Sequence, residues 1–158
     1  MICEDIGDLM TQARAGSSWM GLDLGTKTIG VAVSDRLLSS ATPLHTIRRV
    51  KFSKDAEALL QIISDREIGA IILGLPRNMD GSEGPRCQST RAFARNLARL
   101  TDLPIGYWDE RLSTVAAERA LLEADTSRKR RAEVIDHVAA GYILQGALDR
   151  ARHIRTVG

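Results

Sequence analysis

The chain of 158 residues is 44% hydrophobic and 27% charged, with 22 Lys plus Arg against 20 Asp plus Glu and a net charge of +2. That length suits one globular domain with a single core, and aromatics at only 4% leave that core to Ile, Leu, Val and Ala. The near balance of charge does not by itself announce nucleic acid, so any basic footprint must be local, and no stretch approaches the ~20 apolar residues of a membrane span.

Residues 1–18 read as an appendage. Ile6, Leu9, Met10 and Ala13 have the spacing of one weak amphipathic helix, and Ala15-Gly16-Ser17-Ser18 reads as a linker. Met20 offers a second plausible start, and the segment reads as a dispensable tail. Glu4, Asp5 and Asp8 without an apolar run argue against a signal peptide, so a cytoplasmic location is expected. Cys3 and Cys87 stand far apart with no CxxC or Cys/His spacing. Neither a zinc site nor a disulfide framework is indicated, and two free thiols are expected.

The main domain is expected over 19–151, followed by a tail over 152–158. Met20-Gly21-Leu22-Asp23-Leu24 alternates as a strand does, Gly25-Thr26-Lys27 turns, and Thr28 to Ser34 supplies the hairpin partner. A third strand runs through His45 to Val50. Ser53 is a good N-cap for a helix whose apolar face is Ala56, Leu59, Leu60 and Ile63. Gly69 to Leu75 is a short unbroken apolar run, the signature of a strand covered on both faces in a parallel sheet. A loop from Pro76 to Gly84 leads to a helix near Gln88 to Leu100, and Pro104 to Asp109 forms a fifth strand. Ser113 or Thr114 caps a helix through Leu122, a basic loop spans Asp125 to Arg131, and a last helix runs from about Glu133 to Arg150. The resulting order, β-β-β-α-β-α-β-α-α, predicts an α/β fold with a mixed five-stranded sheet and helices on both faces.

Three carboxylates stand out. Asp23 projects from the opposite side of its strand to Leu22 and Leu24, between glycines that leave room for something bulky. Its structural alternative is an Asp that ends a strand and receives turn hydrogen bonds. Glu110 follows the fifth strand, and its alternative is favourable charge ahead of a helix N-terminus. Asp109 is its neighbour, and only one of the two should share a face with Asp23. Asp136 sits in an apolar helix, where a carboxylate is costly without a cationic partner; its alternative is a solvated first-turn Asp. Three such groups at one site would repel one another, and magnesium or manganese removes that penalty through hard oxygen ligation. Two such ions suit hydrolysis of a phosphodiester.

The basic side chains fit the same chemistry. Arg128-Lys129-Arg130-Arg131 directly precedes the Asp136 helix, and Lys27 lies on the turn after Asp23. Arg91, Arg95 and Arg99 recur at helical spacing and read as a solvated face. His45, His137 and His153 share no ligand spacing and receive no role, and no nucleophile elbow for Ser/His/Asp catalysis exists.

The segment from Asp23 to Ser34, DLGTKTIGVAVS, resembles the opening motif of the YqgF family, also called RuvX. The likeness continues at Gly74-Leu75-Pro76, Asn78-Met79-Asp80-Gly81-Ser82, Asp109 to Thr114, Ile135 to Ala140, and Ile143-Leu144-Gln145. The resemblance implies an RNase H-like fold and metal-dependent phosphodiester hydrolysis with Mg²⁺ or Mn²⁺, at the 5′ end of precursor 16S ribosomal RNA. It carries the family's acidic triad, catalytic and metal-binding, onto Asp23, Glu110 and Asp136. Lys27, Arg111, Arg128, Lys129, Arg130 and Arg131 are the expected nucleic-acid contacts. Two alternatives remain: resolution of a four-way DNA junction, and a nucleic-acid or ribosome-assembly module without turnover. DLGTK followed by GVA also resembles the first phosphate loop of actin-like ATPases and sugar kinases, but those need well over twice this length. The expected oligomeric state is a monomer or weak homodimer, with no membrane partner.

Overall fold

In the computed structural model, residues 1–112 and 128–157 are described, with side chains over 1–112 and 137–156. The elements in chain order are β1 (Ile2–Cys3), α1 (Ile6–Gln12), β2 (Ser18–Leu24), β3 (Thr28–Ser34), β4 (Ala41–Arg48) and α2 (Phe52–Asp65). They continue with β5 (Ile68–Leu75), α3 (Pro85–Ala98), β6 (Ile105–Asp109), a 3₁₀ turn (Glu110–Leu112) and α4 (Arg128–Val157). One mixed sheet results, ordered β1-β6-β5-β2-β3-β4. The β2–β3 and β3–β4 pairs are antiparallel, and β5 joins β2 and β6 in parallel.

The sequence patterns explain the layers. Alternation along β2 sends Met20, Leu22 and Leu24 into one core layer with Leu59 of α2 and Phe93, Ala94 and Leu97 of α3. The opposite face packs Trp19, Ala70, Ile72 and Trp108 against α1 and the stripe Ala140, Ile143, Leu144 and Ala147 of α4. β5 is buried at every position, as its unbroken apolar run requires. The two cysteines are free and buried in different layers, Cys3 with α4 and Cys87 in α3, and burial raises both thiols above their ordinary value.

The sheet has six strands rather than the expected five, and the sixth comes from the segment read as an appendage. Ile2–Cys3 pairs in parallel with Ile105–Gly106, and α1 buries Ile6 and Leu9 beneath the sheet. Glu4 of this segment meets Arg91 at 3.2 Å, and Arg91 also holds Glu83 at 2.7 Å while lying 4.7 Å over the Tyr107 ring. Arg91 is therefore engaged rather than solvated. Asp5 caps α1 by accepting the Asp8 N–H at 2.8 Å.

Other boundaries also moved. β4 begins at Ala41, ahead of Pro43, because an edge strand tolerates a residue that cannot donate to the ladder; the register shifts opposite it, between Val31 and Ala32. The N-cap of α2 is Lys51 rather than Ser53, and the Asp55 carboxylate accepts the Val50 N–H at 3.1 Å. Arg128 to Arg131 open α4 instead of forming a loop, in keeping with the good helix propensity of Lys and Arg, and α4 runs on past Arg150 to Val157. The helix expected from Ser113 or Thr114 to Leu122 lies outside the described residues. Among the described residues, no helix is long and apolar enough to cross a membrane.

Candidate active site

Asp23 is 2% exposed, on the face of β2 that looks toward α4. The face is fixed by its neighbour two residues back: a Cβ on Gly21 would lie 2.6 Å from Leu144 Cβ and 3.0 Å from the Ala140 carbonyl oxygen. Across the antiparallel ladder Asp23 pairs with Gly30. On the other side the parallel ladder pairs Leu22 with Leu73, so Gly74 is the next position along, about 4.8 Å from the Asp23 strand. Glycines therefore flank Asp23 on both neighbouring strands, and neither puts a side chain beside its carboxylate.

Glu110 reaches the same face from the 3₁₀ turn after β6. A Cβ on Gly74 would lie 2.4 Å from Ile143 Cδ1 and 3.4 Å from Glu110 Cδ, so Glu110, Gly74 and α4 share one face with Asp23. Of the neighbouring pair at the end of β6, Glu110 is therefore the member that joins Asp23. Asp109 is taken up elsewhere. Arg111 holds it through Nη2 at 2.7 Å, Nε at 3.1 Å from both oxygens, and the backbone N–H at 3.0 Å. These hydrogen bonds from Arg111 hold the Asp109 carboxyl below its ordinary value. Arg111 Nη1 also donates to the Met79 carbonyl at 3.4 Å, and its guanidinium covers Gly81. Arg111 thus braces the 78–82 turn against the end of β6.

That turn is tied internally. Asn78 N–H donates to the Ser82 carbonyl at 2.9 Å, and Ser82 Oγ donates to Asp80 at 2.6 Å. Gly81 has φ +90°, a conformation that favours glycine.

Asp136 lies on α4 one helical turn before Ala140, the residue whose carbonyl abuts Gly21. Its side chain, and those of Arg128, Lys129, Arg130 and Arg131, lie outside the described residues. Lys27 is exposed on the β2–β3 turn. Among the described residues no group of three His, Cys, Asp or Glu side chains converges as a metal site; Asp23 and Glu110 supply two. Their all-oxygen donors fit a hard divalent cation.

Three contacts escaped the sequence. Arg49 Nη1 donates to the Gly25 carbonyl at 2.6 Å and Arg86 Nη2 to the Leu24 carbonyl at 3.3 Å, so two arginines hold the chain just after Asp23. Separations of 24 and 62 residues carry no local signal. His137, given no role, pairs through Nδ1 with Thr46 Oγ1 at 3.0 Å and fixes α4 to β4.

A family model described as "RuvX: Holliday junction resolvase" matches residues 17–150. A protein of Ruegeria sp. (strain TM1040) named "Putative pre-16S rRNA nuclease" is 72% identical over 156 residues, covering 99% of each chain. One of the same name from Paracoccus denitrificans is 70% identical over 154 residues, covering 98% of each. Among solved structures, Thermus thermophilus RuvC in complex with a Holliday junction substrate aligns with TM-score 0.53 at 14% identity, covering 87% of this chain and 96% of that one. The yeast mitochondrial Holliday junction resolvase aligns with TM-score 0.50 at 12% identity, covering 94% and 86%. At those identities the likeness speaks to the fold, which is RNase H-like.

Proposed function

The chain belongs to the RuvX family, and on that premise we propose that it is a metal-dependent nuclease acting in the cytoplasm on the 5′ end of precursor 16S ribosomal RNA. The observation that carries this reading is the Asp23 carboxylate, 2% exposed between Gly30 and Gly74 with the Glu110 carboxyl beside Gly74. A buried carboxylate is hydrogen-bonded, paired or bound to metal, and a second carboxyl on the same face favours metal. Asp136, one turn before Ala140 on α4, is the third ligand in this reading. Bound Mg²⁺ or Mn²⁺ would activate water and stabilise the leaving oxygen of a phosphodiester.

The protein's own part is to fix the ligands. β2 and β5 set Asp23 against glycine, Arg111 ties down Asp109 so that the following residue keeps to the α4 face, and α4 closes over Gly21. Lys27 and Arg128 to Arg131 are the phosphate contacts in this reading, one on the turn after Asp23 and four at the start of the Asp136 helix.

A four-way DNA junction is the second substrate to test, favoured by the description of the family model. Labelled precursor 16S RNA and a four-way junction are incubated with the protein in Mg²⁺, Mn²⁺ or EDTA. Cleavage of the RNA that needs the metal and disappears in Asp23→Asn is the expected result. Cleavage of neither substrate, or cleavage that survives Asp23→Asn, sinks the reading.

A further inference from the structure

The chain just after Asp23 also forms one wall of a separate cavity of about 270 Å³, on the α2 and α3 side of the sheet. Two guanidinium groups meet there from different elements: Arg49 beyond the end of β4 and Arg86 in the first turn of α3. Each gives one N–H to the wall, Arg49 to the Gly25 carbonyl and Arg86 to the Leu24 carbonyl. A guanidinium carries five N–H donors, so both retain donors beyond these bonds. Arg49 is partly compensated, with Nε 3.9 Å from Asp55 and its guanidinium 5.8 Å above the Phe93 ring. Arg86 is an exposed cation whose bond is to a neutral carbonyl. No Asp or Glu is among the described residues that line the cavity, and Thr26, Ser89 and Thr90 add hydroxyls.

The surroundings favour the same sign of ligand. α3, 14 residues long, starts at this cavity with Gly84 at its N-cap and no side-chain cap, so its positive end adds to the two arginines. The nearest carboxylate of the site, Asp23, faces the other layer.

We propose that this cavity binds a backbone phosphate of the nucleic-acid strand, a neighbour of the phosphodiester that is cleaved. The inference rests on the nuclease reading for the identity of the strand. Leu24 and Gly25 directly follow Asp23, so the cavity wall begins one peptide unit, about 3.8 Å between Cα atoms, from the candidate catalytic carboxylate. A strand crossing the end of β2 meets the Asp23 face first and the arginine pair second. Paired arginines suit a phosphate because their donors are planar and fork-shaped. The contact positions the strand without reading its bases.

Binding of a fluorescein-labelled 12-nucleotide RNA is measured by anisotropy in EDTA over a series of salt concentrations, with the full chain. Arg86→Gln removes the less compensated cation, and Ser89→Glu adds a carboxylate at an exposed rim position without touching the core. Each variant is expected to weaken binding about fivefold, with Arg86→Gln reducing the slope of log K against log salt by about 0.7, one phosphate contact on a single strand. Thermal melting identical to wild type shows that the fold is intact. Variants that melt like wild type and bind with the wild-type affinity and slope overturn the inference, as does wild type that fails to bind the RNA. Cleavage in Mn²⁺ is followed in parallel. Weakened variants beside a wild type that binds but does not cleave support the cavity and overturn the nuclease reading. Wild type that cleaves, beside variants that bind as it does, overturns the cavity alone.

Discussion

Replacing Gly21 with Ala tests how closely α4 must approach the sheet for the site to work. The new Cβ would lie 2.6 Å from Leu144 Cβ and 3.0 Å from the Ala140 carbonyl oxygen. Neither atom is the end of a flexible side chain, so rotamer changes cannot relieve the collision. Ordinary contact begins near 3.4 Å, so α4 must lift by about 0.8 Å (3.4 − 2.6) along that line. Overpacking of this kind costs about 1–3 kcal/mol, which for a chain of this size lowers the melting temperature by roughly 2–12 °C. The same displacement is carried one turn along α4 to Asp136, and a misplacement of about 1 Å at a reacting centre can cost on the order of 100-fold. Melting is followed by circular dichroism, and metal-dependent cleavage is assayed well below the lowered melting temperature. Loss of cleavage by about 10-fold or more in a folded Gly21→Ala protein is the expected result. A variant that melts and cleaves like wild type would show that α4 does not set the site.

Three further outcomes follow from other parts of the molecule. Glu67 ends α2 with φ +52°, where a non-glycine residue costs about 1–2 kcal/mol, while its exposed ion pair with Arg36 contributes at most about 1; Glu67→Gly should therefore raise the melting temperature by about 2–4 °C, and a drop refutes the strain argument. Hydrogen bonds from Arg111 lower the Asp109 carboxyl, so its contribution is complete above the unfolded value near 3.9 and is lost as pH falls through the lower folded value. The stability gap between wild type and Asp109→Asn in urea should be full at about pH 6 and close in strong acid; a gap that widens in acid contradicts this assignment. A chain that starts at Met20 loses Ile6, Leu9 and Trp19, all buried, at roughly 1.5–3 kcal/mol each, comparable to the whole stability of an average domain; a cooperative melt within about 5 °C of the full chain would refute the structural role of the first 19 residues.

What the sequence makes legible here is what depends on local pattern. The alternation of Met20, Leu22 and Leu24 places Asp23 on the opposite face, and the unbroken run before Pro76 marks a strand buried on both sides. The spacing of Ile6, Leu9 and Met10 identifies α1 as a helix. What it cannot reveal is where that helix goes, because the partner of Ile2–Cys3 is β6, about a hundred residues away, and a two-residue strand has no period to detect. The same limit hides the two arginines at Leu24 and Gly25. The choice of Glu110 over Asp109 is likewise decided by the 3₁₀ turn and the Arg111 clamp, neither of which follows from alternation alone.

The bland account of Asp23, a strand-ending Asp that serves its own turn, weakens once the turn itself is understood. Gly25 N–H donates to the Thr28 carbonyl at 2.8 Å, Arg49 N–H donates to the Lys27 carbonyl at 2.8 Å, and the two guanidinium groups hold the carbonyls of Leu24 and Gly25. The turn is closed by these bonds on the α2 and α3 side, while the Asp23 carboxylate lies on the α4 side between two glycines. A carboxylate so buried would be easier to replace with an apolar residue than to accommodate, if packing were all that mattered. Gly74, across the sheet, is set by packing, because a Cβ there would lie 2.4 Å from Ile143 Cδ1 and 3.4 Å from Glu110 Cδ. The close approach that excludes a side chain at Gly74 also brings the Glu110 carboxyl to the face of the buried Asp23, and two carboxyls gathered at one buried point argue for a shared cation rather than a turn.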